Sequence, residues 1–86
     1  MPQIIIYTRD YCPFCHSAKA LLRSKKVGFQ EIDITGDERQ QEEVVRLSGR
    51  RTVPQIFIDD TAIGGFEELR QLEIDGKLDR LLGIGS

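Results

Sequence analysis

Ile4-Ile5-Ile6-Tyr7-Thr8-Arg9-Asp10-Tyr11-Cys12-Pro13-Phe14-Cys15 is the stretch that decides the fold. Its first four residues are a continuous apolar run dominated by β-branched side chains, the pattern of a strand buried on both faces. Thr8 to Tyr11 reads as a short polar turn. From about Pro13 to Lys26 the pattern turns helical: Phe14, Ala18, Leu21 and Leu22 recur at helical spacing, with His16, Lys19 and Arg23 elsewhere on the surface. Pro13 suits the first helical turn, where its missing N–H is not needed. A buried strand thus leads through a tight turn into a helix that opens with two cysteines.

Outward from this unit, Gly28 is expected to end it. Phe29-Gln30-Glu31-Ile32-Asp33-Ile34 alternates apolar and polar residues and reads as a half-buried strand. Thr35-Gly36-Asp37 forms a turn, with Asp37 as cap of a helix from about Glu38 to Ser48. Val44, Val45 and Leu47 point inward there, and Gly49 supplies the stop. Arg50 to Pro54 is a loop, Gln55-Ile56-Phe57-Ile58 a third strand, Asp59-Asp60 a turn and Thr61 to Gly64 a fourth strand. A third helix runs from Phe66 to about Ile74, with Leu69 and Leu72 inward. A short last helix holds Leu78, Leu81 and Leu82, and Gly83 to Ser86 is expected to fray. The order βαβαββαα implies an α/β fold, a four-stranded mixed sheet flanked by helices, whose last two strands form an antiparallel hairpin.

The chain of 86 residues has the size of one domain, expected to span residues 1–86. A formal net charge of -2 gives no global attraction to nucleic acid or to an anionic membrane. The apolar run Ile4 to Ile6 is far too short for a membrane span or a signal-peptide core, so the cytoplasm is the expected compartment.

The chain has two cysteines, Cys12 and Cys15. A bridge between them closes so small a loop that it constrains the unfolded chain very little, so reactivity explains the pair better than stability. Residues three apart on a helix share a face and lie within reach of a disulfide. Cys12, at the helix entrance, meets free backbone N–H groups and the positive end of the helix dipole, both of which favour thiolate. Arg9, and also Lys19, would add to this field. Cys15 lies one turn deeper, shielded and placed to resolve a mixed disulfide on Cys12. Two blander readings compete. The cysteines can serve as small buried apolar residues. A zinc site needs four ligands, and Cys12, Cys15 and His16 offer at most three, so no metal is expected. His16 reads as a solvated surface residue.

At this point the chain resembles the glutaredoxins, specifically the short bacterial dithiol type. The resemblance rests on Cys12-Pro13-Phe14-Cys15, Thr52-Val53-Pro54 and Gly64-Gly65, in that order and at the family's spacing. It implies a thioredoxin fold, a cis Val53-Pro54 bond and glutathione as co-substrate, with no cofactor bound permanently. It also implies that Cys12 and Cys15 form the redox-active disulfide of a glutathione-dependent oxidoreductase. Residue by residue, Arg9 and Gln41 match contacts to the glycyl carboxylate, and Thr52 and Val53, beside Pro54, match the stretch that pairs with the cysteinyl backbone. Gly65, Phe66 and Glu67 match the helix entrance whose N–H groups receive the γ-glutamyl carboxylate, a placement that suits a helix dipole. Glu68 would face the γ-glutamyl amino group, and Arg51 would add to the field at the loop. Phe14 stands where the family usually has Tyr, keeping the ring without the hydroxyl, and Phe66 stands where it often has Cys. Disulfide-containing or glutathionylated proteins are the implied partners, ribonucleotide reductase among them, with the protein acting as a monomer. Three other readings stand beside this one: a redoxin fed by thioredoxin reductase, an iron–sulfur scaffold shared by two chains, and an interaction module with inert thiols. Pro13 stiffens the turn and disfavours the scaffold.

Overall fold

The structure is a computed structural model that describes residues 2–84. The elements follow in the expected order: β1 (Ile4–Thr8), α1 (Pro13–Ser24), β2 (Gln30–Asp33), α2 (Glu38–Ser48), β3 (Gln55–Ile58), β4 (Thr61–Gly64), α3 (Phe66–Ile74) and α4 (Leu78–Leu81). The sheet order is β2-β1-β3-β4. β1 runs parallel to β2, with Ile5 opposite Gln30 and Thr8 opposite Asp33. It runs antiparallel to β3, with Ile4 opposite Ile58. β3 and β4 form the antiparallel hairpin. Asp59 and Asp60, at φ 49° and 66°, both take the left-handed backbone that a two-residue hairpin turn of this hand requires. This mixed sheet with helices on its faces is a thioredoxin fold.

Alternation along β1 and β3 sends successive side chains to opposite faces. Ile4, Ile6, Ile56 and Ile58 go to one face, where Ala18 and Leu22 of α1, Leu69 of α3 and Leu78 of α4 close the main core together with Leu82. Tyr7 and Phe57 go to the other, where they pack with Ile34 and with Val44 of α2. β1 is therefore buried on both faces, as its unbroken apolar run requires, and it carries the dithiol turn from the centre of the sheet. Glu31 on β2 fastens this arrangement. It accepts the Thr8 hydroxyl at 2.7 Å and pairs with Lys19 of α1 at 3.0 Å. The Thr8 hydroxyl first, and Lys19 second, hold its carboxyl below the usual carboxylate range.

Several local expectations change. α1 ends at Ser24, and Lys26 at φ 59°, not Gly28, takes the left-handed exit position. The buried stripe of α1 is Cys15, Ala18 and Leu22, which leaves Phe14 56% exposed beside the dithiol. On α2 only Val44 is buried, packed with Tyr7 and Phe57 of the sheet, while Val45 is half-buried and Leu47 is exposed. Leu81 is also exposed. Of the residues expected to fray, Ile84 sits against the fold: its N–H donates to the Asp79 carbonyl at 2.9 Å and its side chain packs on the main core. Gly85 and Ser86 lie outside the described residues. Among the described residues no helix is long and apolar enough to cross a membrane.

Two predictions follow from this packing. Leu22→Ala should lower unfolding free energy by about 3 kcal/mol, whereas Leu47→Ala should change it by less than about 0.5 kcal/mol; denaturant titration distinguishes them. Because Glu31 titrates below its ordinary 4.5, its carboxylate stabilises the fold above about that pH and the contribution fades as pH falls through the lowered native value. The gap in denaturation midpoint between the parent and Glu31→Gln should therefore be present at neutral pH and narrow below pH 4.5.

Candidate active site

The turn from β1 into α1 is pinned before it reaches the cysteines. The Asp10 N–H donates to Thr35 Oγ1 at 2.9 Å, and the Thr35 hydroxyl donates back to Asp10 Oδ1 at 3.0 Å, joining this turn to the one before α2. Tyr11 then takes the left-handed backbone, at φ 52°, with its ring fully in solvent. Cys12 is the N-cap of α1 in extended conformation, and Pro13 follows at the first helical position. The Cys15 N–H donates to Cys12 Sγ at 3.1 Å, so the sulfur takes the place that a serine or aspartate oxygen usually fills at a helix start. The two residues form a disulfide with Cα atoms 5.1 Å apart.

The two sulfurs differ in access. Cys12 is partly exposed, while Cys15 is 2% exposed beneath the first turn. The Val53 carbonyl oxygen lies 3.7 Å from Cys12 Sγ, and the Val53-Pro54 bond is cis. Lys19 does not serve the thiols as expected: its ammonium is spent on Glu31 at the sheet edge. Arg9 remains exposed and makes no ion pair among the described residues.

The residues singled out by sequence gather in two concavities of about 260 Å³ each. Phe14, Thr52, Val53, Pro54, Gly65, Phe66 and Glu67 line the first, together with Arg50 and Glu68. The Phe14 and Phe66 rings stack there with centroids 6.2 Å apart. Arg9, Gln41 and Arg51 line the second, joined by Glu38 and Glu42 of α2. The loop from Arg50 to Pro54 borders both, and Val53 brings it to Cys12. One donor of Gln41 is already used, since its Nε2 donates to the Ile34 carbonyl at 2.9 Å.

The entrance of α3 is more heavily occupied than expected. Gly65 has no side chain to cap the helix, so Glu68 reaches back and accepts the Gly65 N–H at 2.7 Å. Arg50 donates to the same Glu68 oxygen at 2.6 Å. Arg50 first, and the Gly65 N–H second, hold the Glu68 carboxyl below the usual carboxylate range. Of the three N–H groups expected to receive a carboxylate, that of Gly65 is thus taken, and those of Phe66 and Glu67 remain without intrahelical acceptors. Glu68, expected to face an ammonium, already has a cation in Arg50. The Gly65-x-x-Glu68 spacing is a capping signal legible in the sequence. Nothing local marks Arg50, whose partner lies 18 residues away.

A dithiol at a helix N-terminus, with one sulfur reachable and the other buried, on a thioredoxin fold defines a thiol–disulfide oxidoreductase. The glutaredoxin family model matches residues 4–63. The chain is 54% identical over 82 residues to glutaredoxin 3 of Escherichia coli strain K12, covering 95% of this chain and 99% of that one. It is 49% identical to a glutaredoxin of Pseudomonas aeruginosa, with 95% and 98% covered. Among solved structures it is similar to the solution structure of a Brucella melitensis glutaredoxin, with a TM-score of 0.84, 48% identity and coverage of 98% and 91%. It is also similar to a buckwheat glutaredoxin–glutathione complex, with a TM-score of 0.88, 27% identity and coverage of 95% and 77%. The chain belongs to the glutaredoxin family.

The difference in access has a direct readout. In the reduced protein at neutral pH, iodoacetamide should modify Cys12 at least about tenfold faster than Cys15. Peptide mapping of briefly alkylated protein checks this, and equal labelling would contradict it.

Proposed function

We propose that the protein is a glutathione-dependent oxidoreductase that reduces glutathione mixed disulfides and protein disulfides in the cytoplasm, working as a single-domain monomer. The observation that carries this reading is the placement of partly exposed Cys12 beside a loop that borders both concavities. A tripeptide with a central cysteine needs its sulfur at the nucleophile and its two charged ends on either side. Arg9, with Gln41 and Arg51 nearby, suits the glycyl carboxylate. Val53 offers backbone groups to the cysteinyl residue, as an added strand would use. The N–H groups of Phe66 and Glu67 suit the γ-glutamyl carboxylate. The buckwheat relative, determined as a glutathione complex, supports the same reading.

In the proposed cycle on a glutathionylated protein, the Cys12 thiolate attacks the glutathione sulfur. The client leaves as thiolate and Cys12 becomes glutathionylated. A second glutathione thiolate then attacks the bound glutathione sulfur, releasing glutathione disulfide and restoring the Cys12 thiolate. On a protein disulfide, Cys12 attacks one client sulfur and displaces the other. Cys15 then attacks Cys12 Sγ, which frees the reduced client and leaves the Cys12–Cys15 disulfide. Two glutathione molecules supply the two electrons that reopen it. Glutathione is a co-substrate in this scheme, and no cofactor is held permanently. Proteins with accessible disulfides, ribonucleotide reductase among them by family resemblance, are the proposed clients.

Cys12→Ser should abolish both reactions. Cys15→Ser should keep about half or more of the turnover on a glutathione mixed disulfide and lose at least about tenfold on a protein disulfide. A glutathione-coupled assay with both substrates checks this. A Cys15→Ser protein as inactive as Cys12→Ser on the mixed disulfide would overturn the division of labour, and turnover supported by thioredoxin reductase in preference to glutathione would overturn the assignment.

A further inference from the structure

Arg50 stands in the wall of the first concavity with most of its chemistry unused. A guanidinium presents several N–H donors in a planar fork, and among the described residues the side chain makes one hydrogen bond, from Nη1 to Glu68 Oε1. The side chain is 47% exposed and lines the first concavity. Its one partner, Glu68, is itself anchored. The Glu68 carboxylate is bound to the Gly65 N–H and packs directly on Gly64, where an added Cβ would lie 2.6 Å from Glu68 Oε1.

The wall thus carries a cation and an anion side by side, the cation with donors to spare. Among the described residues, the hydrogen bonds that Arg50 and the Gly65 N–H give to Glu68 both go to Oε1. An α-amino acid head group is the complementary pattern: a carboxylate and an ammonium on one carbon. The backbone alone serves that carboxylate incompletely, since it accepts more hydrogen bonds than the Phe66 and Glu67 N–H groups supply and the Gly65 N–H is already spent. Resting on the glutathione reading above, we propose that Arg50, held in place by Glu68, binds the α-carboxylate of the γ-glutamyl end. Arg50 thereby selects thiol peptides that carry an α-carboxylate at that end.

The test uses mixed disulfides of nitrothiobenzoate with glutathione and with γ-aminobutyryl-Cys-Gly, which lacks only the α-carboxylate. Release of the coloured thiolate in a single turnover of the reduced protein reports attack by Cys12 without a coupling enzyme. In the parent, loss of the α-carboxylate should slow the sub-saturating reaction by about tenfold, as expected for a charge-assisted hydrogen bond. In Arg50→Gln that penalty should shrink by about threefold, the Phe66 and Glu67 N–H groups keeping the rest, and in Arg50→Lys, which keeps the charge without the fork, it should fall in between. A full penalty retained in Arg50→Gln, or an equal slowing of both peptides, would overturn the assignment of Arg50. A parent that reacts no faster with the glutathione disulfide than with that of mercaptoethanol would instead overturn the glutathione reading itself.

Discussion

The hydrogen bond from the Cys15 N–H to Cys12 Sγ is the contact on which the site depends. It makes a sulfur the cap of α1, and a helix start has N–H groups that need an acceptor. A thiolate satisfies that need better than a thiol, since a full negative charge accepts from N–H and meets the positive end of the dipole. The same bond sets the spacing of the pair. Residue three of the helix must lie under the cap, which puts the second sulfur within bonding reach and buries it. Nucleophile and resolving thiol are therefore distinguished by one local geometry.

That geometry works because the scaffold holds it still. β1 is buried on both faces and ends directly in the turn that Thr35 pins to Asp10. Behind it, Glu31 ties Thr8, at the end of β1, to Lys19 on α1. The expectation that Lys19 assists the thiols fails for this reason: its charge has a nearer use in locking helix to sheet. The electrostatic contact shown at Cys12 is that of the helix start.

The two concavities show a different kind of assembly. The first is shaped by contacts between the loop after α2 and the entrance of α3, segments that no local pattern links. The Arg50–Glu68 pair and the Gly65 cap hold that side. A glycine at the N-cap leaves the helix without a side-chain acceptor, and the carboxylate three residues on fills the gap. This costs the entrance one of its N–H groups, and Arg50 binds the carboxylate that takes it. Phe14, displaced from the core stripe that helical spacing suggested, has a use on the same side: it stacks on Phe66 and lines the concavity beside the cysteines.

The sequence by itself determined the elements, their order and the dithiol. Strand and helix periodicity, a proline at a helix start, an aspartate cap and glycine stops are local signals, and the boundaries of α2, β3, β4 and α3 follow them closely. Where the signals were local but non-unique, they misled. Lys26 could take the left-handed exit that Gly28 seemed to mark, and helical spacing alone could not tell Leu47, facing solvent, from Val44, facing the sheet. Tertiary structure alone decided which charged groups pair, because a salt bridge depends on which segments the fold brings together and not on distance along the chain. It spent Lys19 on Glu31, paired Arg50 with Glu68 and set Arg50 in the wall of the concavity.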